Sequence, residues 1–323
     1  MRIDRRLVGF GVFLLAAGVA MLAVRQGLIS DDMARRAWSL WPLILIGFGL
    51  SIVLAGRPGA AIGSLVAALT LGTILGLAIG SGTFVPGLCT GRDDATRPFG
   101  AATGDLAASA RVTIEQDCGG LHVTSVAGSK WTVGGSTPDA RPPTITASAT
   151  DLRIASPDRS PFDLAGNGSW EVALPRDPSI DLDVQANAGD ARLDLGGARL
   201  TRLSVQRNAG SIRIDLRDVA AIATLDLAVN AGSATLWLPG RSVKGSVHVN
   251  AGSLALCIPA GAGLRVDVGS SVAASNDFAP HGLVQTGTTW ETPGFATNEV
   301  QLDLSADANA ASLSLDPTDG CAA

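Results

Sequence analysis

Residues that could carry catalysis or bind a metal are sparse in this chain. Its three histidines, His122, His248 and His281, lack the i, i+4 spacing and the cysteine neighbours of a zinc site. The sequence contains no Walker loop, no Gly-x-Ser-x-Gly elbow and no Ser-x-x-Lys nucleophile motif. It therefore predicts no catalytic residue, no metal site and no cofactor, and it favours an enzyme less than a regulatory protein or a structural module.

Aspartates and cysteines remain as chemically competent side chains. The aspartates alternate with apolar residues, but the Gly-Gly-x-Gly-x-Asp nonapeptide of calcium-loaded β-rolls is missing, so we interpret them as charges on solvated strand faces. Four cysteines allow three connectivities, and we expect Cys89 to pair with Cys118 and Cys257 with Cys321. Unpaired thiols on a cytoplasmic domain are the alternative.

One tripeptide, Asn-Ala-Gly, recurs at nearly constant spacing. Its asparagines are separated by 21, 22 and 20 residues. An alternating apolar segment stands on each side, so each period predicts two strands and two turns, the tripeptide being one turn. We predict a β-solenoid in which glycine permits the corner, and asparagine either hydrogen-bonds to the backbone or stacks in a ladder with the asparagine of the next coil; a ligand site along these asparagines is the alternative. The corner residues are Asn187, Gly189, Asn208, Gly210, Asn230, Gly232, Asn250 and Gly252.

Alternation also assigns the two faces of each strand, because residues two apart share a face. Asp181, Asp194, Arg213 and Asp226 are among those predicted to point to solvent. The residues predicted to point inward are Ile180, Leu182, Val184, Leu193, Leu195, Leu203, Val205, Ile212, Ile214, Leu216, Leu225, Leu227, Val229, Leu236, Leu238, Val247, Val249, Leu254, Leu256, Ile258, Leu264, Val266 and Val268.

Degenerate repeats are expected to cap the stack at both ends. In the first, Asp117 takes the place of the asparagine. In the last, which covers residues 302–315, we align Asp307 with Asn187 and Asn309 with Gly189, because asparagine is the next best residue after glycine for a left-handed corner.

The first eighty residues predict three transmembrane helices, at about residues 7–24, 40–55 and 61–79, because these uncharged apolar runs approach the length that crosses a hydrocarbon core of about 30 Å. A cleaved signal peptide is the alternative for the first run. Trp38 and Trp41 are predicted to lie at the membrane interface. We divide the chain into a transmembrane region (1–86), a linker (87–104), the β-solenoid domain (105–316) and a tail (317–323).

Charge bears on orientation and on partners. Three arginines within the first six residues favour a cytoplasmic amino terminus, and three crossings then place the β-domain outside the cytoplasm. A net charge of -5, with no basic run beyond the amino terminus, argues against a nucleic-acid partner. The predicted location is a cell membrane that the chain crosses several times, with lipid as one partner.

Three segments resemble a known family. Residues 170–195, which run from a Trp-Glu-Val-Ala-Leu-Pro motif through the first Asn-Ala-Gly, look like the toast-rack or adhesin-like β-repeat domain of bacterial envelope proteins. Residues 290–304 are similar to the end of the LiaF-like carboxy-terminal domain, and residues 40–49 resemble the membrane region of LiaI and LiaF-like proteins.

The resemblance implies a role in cell-envelope stress, in which LiaF-like proteins restrain a two-component histidine kinase. The expected function is thus that of a membrane-anchored regulatory or sensory protein, with a histidine kinase or another envelope protein as partner. A structural module or adhesin-like surface protein is the alternative. The family offers no catalytic residues to carry over, and its members commonly have four spans where we count three.

Overall fold

The computed structural model describes residues 96–157, 168–269, 274–317 and 320–321, together with the helical residues Val12, Leu15 and Val19. The chain separates into two compact units, Met1–Pro86 and Gly87–Ala323. No helix within the described residues combines the length and apolar character needed to cross a membrane. Apart from those three residues, the predicted spans lie outside the described part of the chain, as do Trp38 and Trp41.

The second unit is mostly β structure. Its described residues form one sheet of sixteen strands and a short 3-10 helix, Phe295–Thr297. In chain order the strands β1 to β16 are Arg97–Pro98, Ala102–Asp105, Ser109–Val126, Lys130–Thr137, Thr144–Ala147, Asp151–Ala155, Gly168–Pro175, Ser179–Asp194, Arg199–Asp215, Ala221–Trp237, Val243–Cys257, Gly263–Val268, Ser275–Asn276, Val284–Thr286, Thr289–Glu291 and Gln301–Leu315.

Six long strands form the body of the unit. They pair in parallel in the order β3-β8-β9-β10-β11-β16. The last strand of the chain, β16, therefore lies between β11 and β12. The ends are built differently: β6 and β7 pair with the two halves of β3, and β12 and β13 pair with the two halves of β16.

The prediction of two strands and a tripeptide turn in each period is wrong in one respect. Each Asn-Ala-Gly lies within a single long strand, as in β10, where pairing with β11 continues on both sides of Asn230. Val229 pairs with Val249 and Ala231 with Ala251, so only the asparagine leaves the backbone register. Glycine explains the difference, because Gly232 has a φ of 127° and re-aims the chain without ending the strand.

The predicted faces are confirmed by burial. Every residue assigned inward is buried except Ile258 and Val268, which are half-buried. None of the outward aspartates and arginines named above is buried. The inward side chains from both halves of the long strands join in one apolar core.

The predicted alignment of the last repeat is two residues out of register. Val249 pairs with Ala308 and Ala251 with Ala310, so Asn309 lies opposite Asn250, and Asp307 lies opposite His248. A shift of two residues leaves every side chain on the same face, so apolar alternation cannot distinguish the two alignments. Asn309 thus occupies the asparagine position and not the glycine position.

Candidate functional site in a polar groove beside the asparagine column

The asparagine side chains form one continuous hydrogen-bonded column. Asn208 Nδ2 donates to Asn187 Oδ1 at 2.5 Å, Asn230 to Asn208 at 2.6 Å, and Asn250 to Asn230 at 2.7 Å. Asn309 adds a fifth member, donating to Asn250 at 2.7 Å. Because the backbone register skips each asparagine, its side chain continues the interstrand hydrogen bonding at that level.

At the other end the column stops on a carboxylate. Asn187 Nδ2 donates to Asp117 Oδ1 at 3.0 Å. Every amide in the column donates in the same direction, towards Asp117. The hydrogen bonds therefore polarise one another, and Asp117 accepts the last of them. A carboxylate suits that position because hydrogen bonds to a charged acceptor are stronger than those between neutral groups.

A glycine column runs beside the asparagines. Gly189, Gly210, Gly232 and Gly252 all have positive φ, between 107° and 138°. A Cβ on any of them would collide with the carbonyl oxygen of the corresponding glycine on the preceding strand. The strands therefore approach more closely here than any other residue would allow, which explains why the tripeptide ends in glycine.

A polar groove of about 380 Å³ opens next to these columns, at β7, β3, β8 and β9. A row of small side chains, namely Ser169, Gly120, Asp190 and Ser211, lies across the four strands. Two residues further on, a charged row consists of Glu171, His122, Arg192 and Arg213. The groove forms because the residues of the first row are small, whereas the longer side chains of the second row project beside them.

Two carboxylates organise the charges of this polar groove. Asp194 accepts from His122 Nε2 at 2.9 Å and from Arg192 Nε at 2.8 Å, and Asp190 accepts from Ser211 Oγ at 2.6 Å. Burial acts to raise the pKa of Asp194, but the hydrogen bonds from Arg192 and His122 outweigh it and hold the pKa below its usual value. The hydrogen bond between Arg192 and Asp194 also raises the pKa of Arg192.

Glu171 and Arg213 form no ion pair within the part of the chain that the structure describes. Their charges are thus available for a partner at two corners of the polar groove, one acidic and one basic. Within those same residues, no hydroxyl group hydrogen-bonds to His122, whose Nε2 donates to Asp194. The arrangement can recognise a polar surface by complementary charge and hydrogen bonding.

The remaining histidines do not join the groove. His248 Nδ1 lies 3.0 Å from Asp307, and His281 Nδ1 donates to the carbonyl oxygen of Asp277 at 2.9 Å. Across residues 96–157, 168–269, 274–317 and 320–321, no three His, Cys, Asp or Glu side chains are grouped as metal ligands would be.

Arg207 is a feature that the sequence reading missed. It is fully buried, and its Nη2 donates to the carbonyl oxygen of Gly189. Desolvation lowers the pKa of Arg207, and Asp190 acts in the opposite direction. The sequence does indicate that Arg207 points inward, because Leu203, Val205 and Arg207 are two residues apart and so share one strand face.

The carboxy terminus is fastened to the repeats. Cys257 and Cys321 form a disulfide with a Cα–Cα distance of 5.5 Å. Trp237 Nε1 donates to the carbonyl oxygen of Cys321, and Arg217 lies over the Trp237 ring at 5.7 Å. Cys118 is also disulfide-bonded; Cys89, its predicted partner, lies outside the described residues.

Strands in parallel register, a bend repeated in each of them and a polar outer groove define a β-rich repeat protein. Residues 99–237 match the family model described as the N-terminal domain of toast_rack, DUF2154. Residues 8–53 match the LiaI-LiaF-like transmembrane region. The two matches confirm the resemblance to LiaF-like toast-rack proteins and indicate a membrane-anchored protein of the cell envelope. Neither family model describes an enzyme.

Solved structures offer more distant similarities. One from Clostridium sporogenes ATCC 15579, described as "a putative cell adhesion protein", is 14% identical with a TM-score of 0.43, covering 68% of this chain and 99% of its own. A "putative adhesin" from Bacteroides fragilis NCTC 9343 is 9% identical with a TM-score of 0.28, covering 69% and 98%. Both TM-scores are too low to carry a functional argument. No match was found among curated proteins.

Proposed function

We propose that this protein is a membrane-anchored, non-enzymatic regulator of the bacterial cell envelope that modulates a stress-response two-component system through its β-repeat unit. The observation that carries the proposal is the presence of a LiaI-LiaF-like transmembrane region and a toast-rack domain in one chain. The polar groove supports it, since the groove offers charged groups for recognition of a partner.

In the same proposal, the β unit is a solenoid, the anchor consists of three transmembrane helices, and the solenoid is extracytoplasmic. The spacing of 20 to 22 residues between the asparagines of successive Asn-Ala-Gly tripeptides supports the solenoid. The disulfide between Cys257 and Cys321 supports the extracytoplasmic placement, because disulfides persist in oxidising compartments.

The proposed partner is a histidine kinase or another envelope protein that docks on the polar groove. Arg213 is the residue to test, because it is exposed and forms no ion pair within the described residues. A partner carboxylate would meet this guanidinium directly, and reversing the charge would repel it.

The experiment uses chromosomal alleles in the native host and measures phosphorylation of envelope-stress response regulators with and without a cell-wall-active antibiotic. Deletion and Arg213→Glu are both expected to change basal phosphorylation in the same direction. Lys244→Glu is the matched control, because Lys244 is an exposed cation on the other half of the sheet and lies outside the polar groove.

Unchanged phosphorylation in the deletion strain would refute the regulatory role. If that strain instead lost attachment to surfaces or to other cells, the adhesin-like alternative would replace the proposal. If deletion changed phosphorylation but Arg213→Glu behaved like Lys244→Glu, the regulatory role would stand and the polar groove would be the wrong contact.

A further inference from the structure

A second groove, of about 330 Å³, lies where β9 and β10 begin. Arg199 on β9 pairs with Ala221 on β10. Arg241 lies two residues before β11, the strand on the other side of β10, and it lines the same groove. Ala221 and Ala223 are small and exposed, so β10 forms a depression between two arginines. We call this the arginine groove.

The charges of the arginine groove are unbalanced. Neither Arg199 nor Arg241 forms an ion pair with any residue that the structure describes, and both are exposed. None of the residues that line it carries a carboxylate. Other arginines of the same unit pair with acids, for example Arg202 with Asp226 and Arg265 with Asp303. Two uncompensated guanidinium groups in a chain of net charge -5 make this a local positive site.

Hydroxyl groups complete the set of donors. Thr201 and Ser242 both line the arginine groove and are exposed. Ser242 Oγ accepts from the backbone N–H of Gln301 at 2.9 Å, so its own hydroxyl hydrogen stays available for a ligand. Leu200 and Ile222 also line the arginine groove, and both are buried.

We propose that the arginine groove binds a phosphate group, held between the guanidinium groups of Arg199 and Arg241 with Thr201 and Ser242 donating hydrogen bonds. Arg199 on β9 and Arg241 just before β11 line the groove from the two sides of β10, so their long side chains can converge on one anion over Ala221. The planar guanidinium donates two parallel hydrogen bonds to phosphate oxygens. This site is separate from the polar groove, and it holds whether or not the chain regulates a kinase.

The test uses the full-length chain in nanodiscs of phosphatidylcholine, titrated calorimetrically with inorganic phosphate and with glycerol 3-phosphate. We expect saturable binding with a dissociation constant of about 1 mM or tighter. The double variant Arg199→Gln with Arg241→Gln should weaken it by about tenfold or more, since it removes both charge-assisted contacts. Lys130→Gln, which removes an exposed cation on β4 outside both grooves, should bind as the wild type does.

Nanodiscs that contain phosphatidylglycerol separate two sources of the phosphate. If that lipid weakens phosphate binding by the wild type, the phosphate comes from a lipid headgroup; if it has no effect, the ligand is a soluble phosphate ester. Both results uphold the site. Unsaturable binding, or equal binding by the double variant with an unchanged thermal unfolding midpoint, would overturn it. Because these assays contain no kinase, their failure leaves the regulatory proposal intact.

Discussion

At the scale of single residues, Arg207 places a charged group inside the apolar core. Its guanidinium group is fully buried, and Nε and Nη1 have no hydrogen-bond partner among the described residues. Burying a charge without compensating contacts costs several kcal/mol. The residues beside it in register, Ala186 and Val229, are apolar.

We therefore expect Arg207→Val to stabilise the protein by about 1–2 kcal/mol, because valine matches the neighbouring position and removes the desolvated charge. Guanidinium denaturation of the purified full-length chain measures the change. Arg213→Val, on the exposed face of the same strand, is the control and should change stability by less than about 0.5 kcal/mol. A loss of stability in Arg207→Val would show that the arginine has compensating contacts.

Only some of the contacts between single residues could be predicted from the sequence. The column of Asn187, Asn208, Asn230 and Asn250 follows from the spacing of one tripeptide. The arginine groove does not, because it depends on Arg199, Ala221 and Arg241 coming from different repeats. Residues that are unremarkable along the chain become neighbours only when the register between strands is known.

At the scale of elements, the asparagine column should contribute unequally along its length. Asn230 donates one column hydrogen bond and accepts another, whereas Asn309 at the end only donates one. Asn230→Ala should therefore destabilise by about 2 kcal/mol and Asn309→Ala by about 1 kcal/mol. Chemical denaturation of the two variants measures both losses of stability, which can be compared when the dependence of the unfolding free energy on denaturant is the same in both. Equal losses at the two positions would mean that the column adds little beyond the local bend.

The glycine column gives a sharper contrast between positions. Gly232→Ala should destabilise by at least about 2 kcal/mol, because the new Cβ meets the carbonyl oxygen of Gly210 and φ is 127°. Gly240→Ala is the matched control, since its Cβ would meet only ordinary contacts, and it should be nearly neutral. Thermal unfolding of both variants measures this. Similar midpoints would contradict the close approach of the strands.

The order of elements was only partly predictable. Alternation gave the strands and their faces, but it did not place β16 between β11 and β12 or β3 beside β7. The reason is physical: full-length strands pair over both halves and occupy the inner positions, while broken strands such as β6 and β12 pair over one half and cover the ends. Those end pairings depend on contacts distant in sequence.

At the scale of the whole molecule, we propose that a membrane anchor holds the β-repeat unit outside the cytoplasm. Ser233 and Ala234 suit a direct test, because they are consecutive on β10 and face opposite ways, Ser233 exposed and Ala234 only 3% exposed. Cys257 and Cys321 are joined in a disulfide, so a new cysteine would supply a reactive thiol.

The decisive measurement labels Ser233→Cys and Ala234→Cys with a membrane-impermeant maleimide in intact spheroplasts. Labelling of the Ser233→Cys chain before lysis, with Ala234→Cys protected until the protein is denatured, is the predicted result. Labelling of Ser233→Cys only after the membrane is broken would place the β-repeat unit in the cytoplasm and contradict the account.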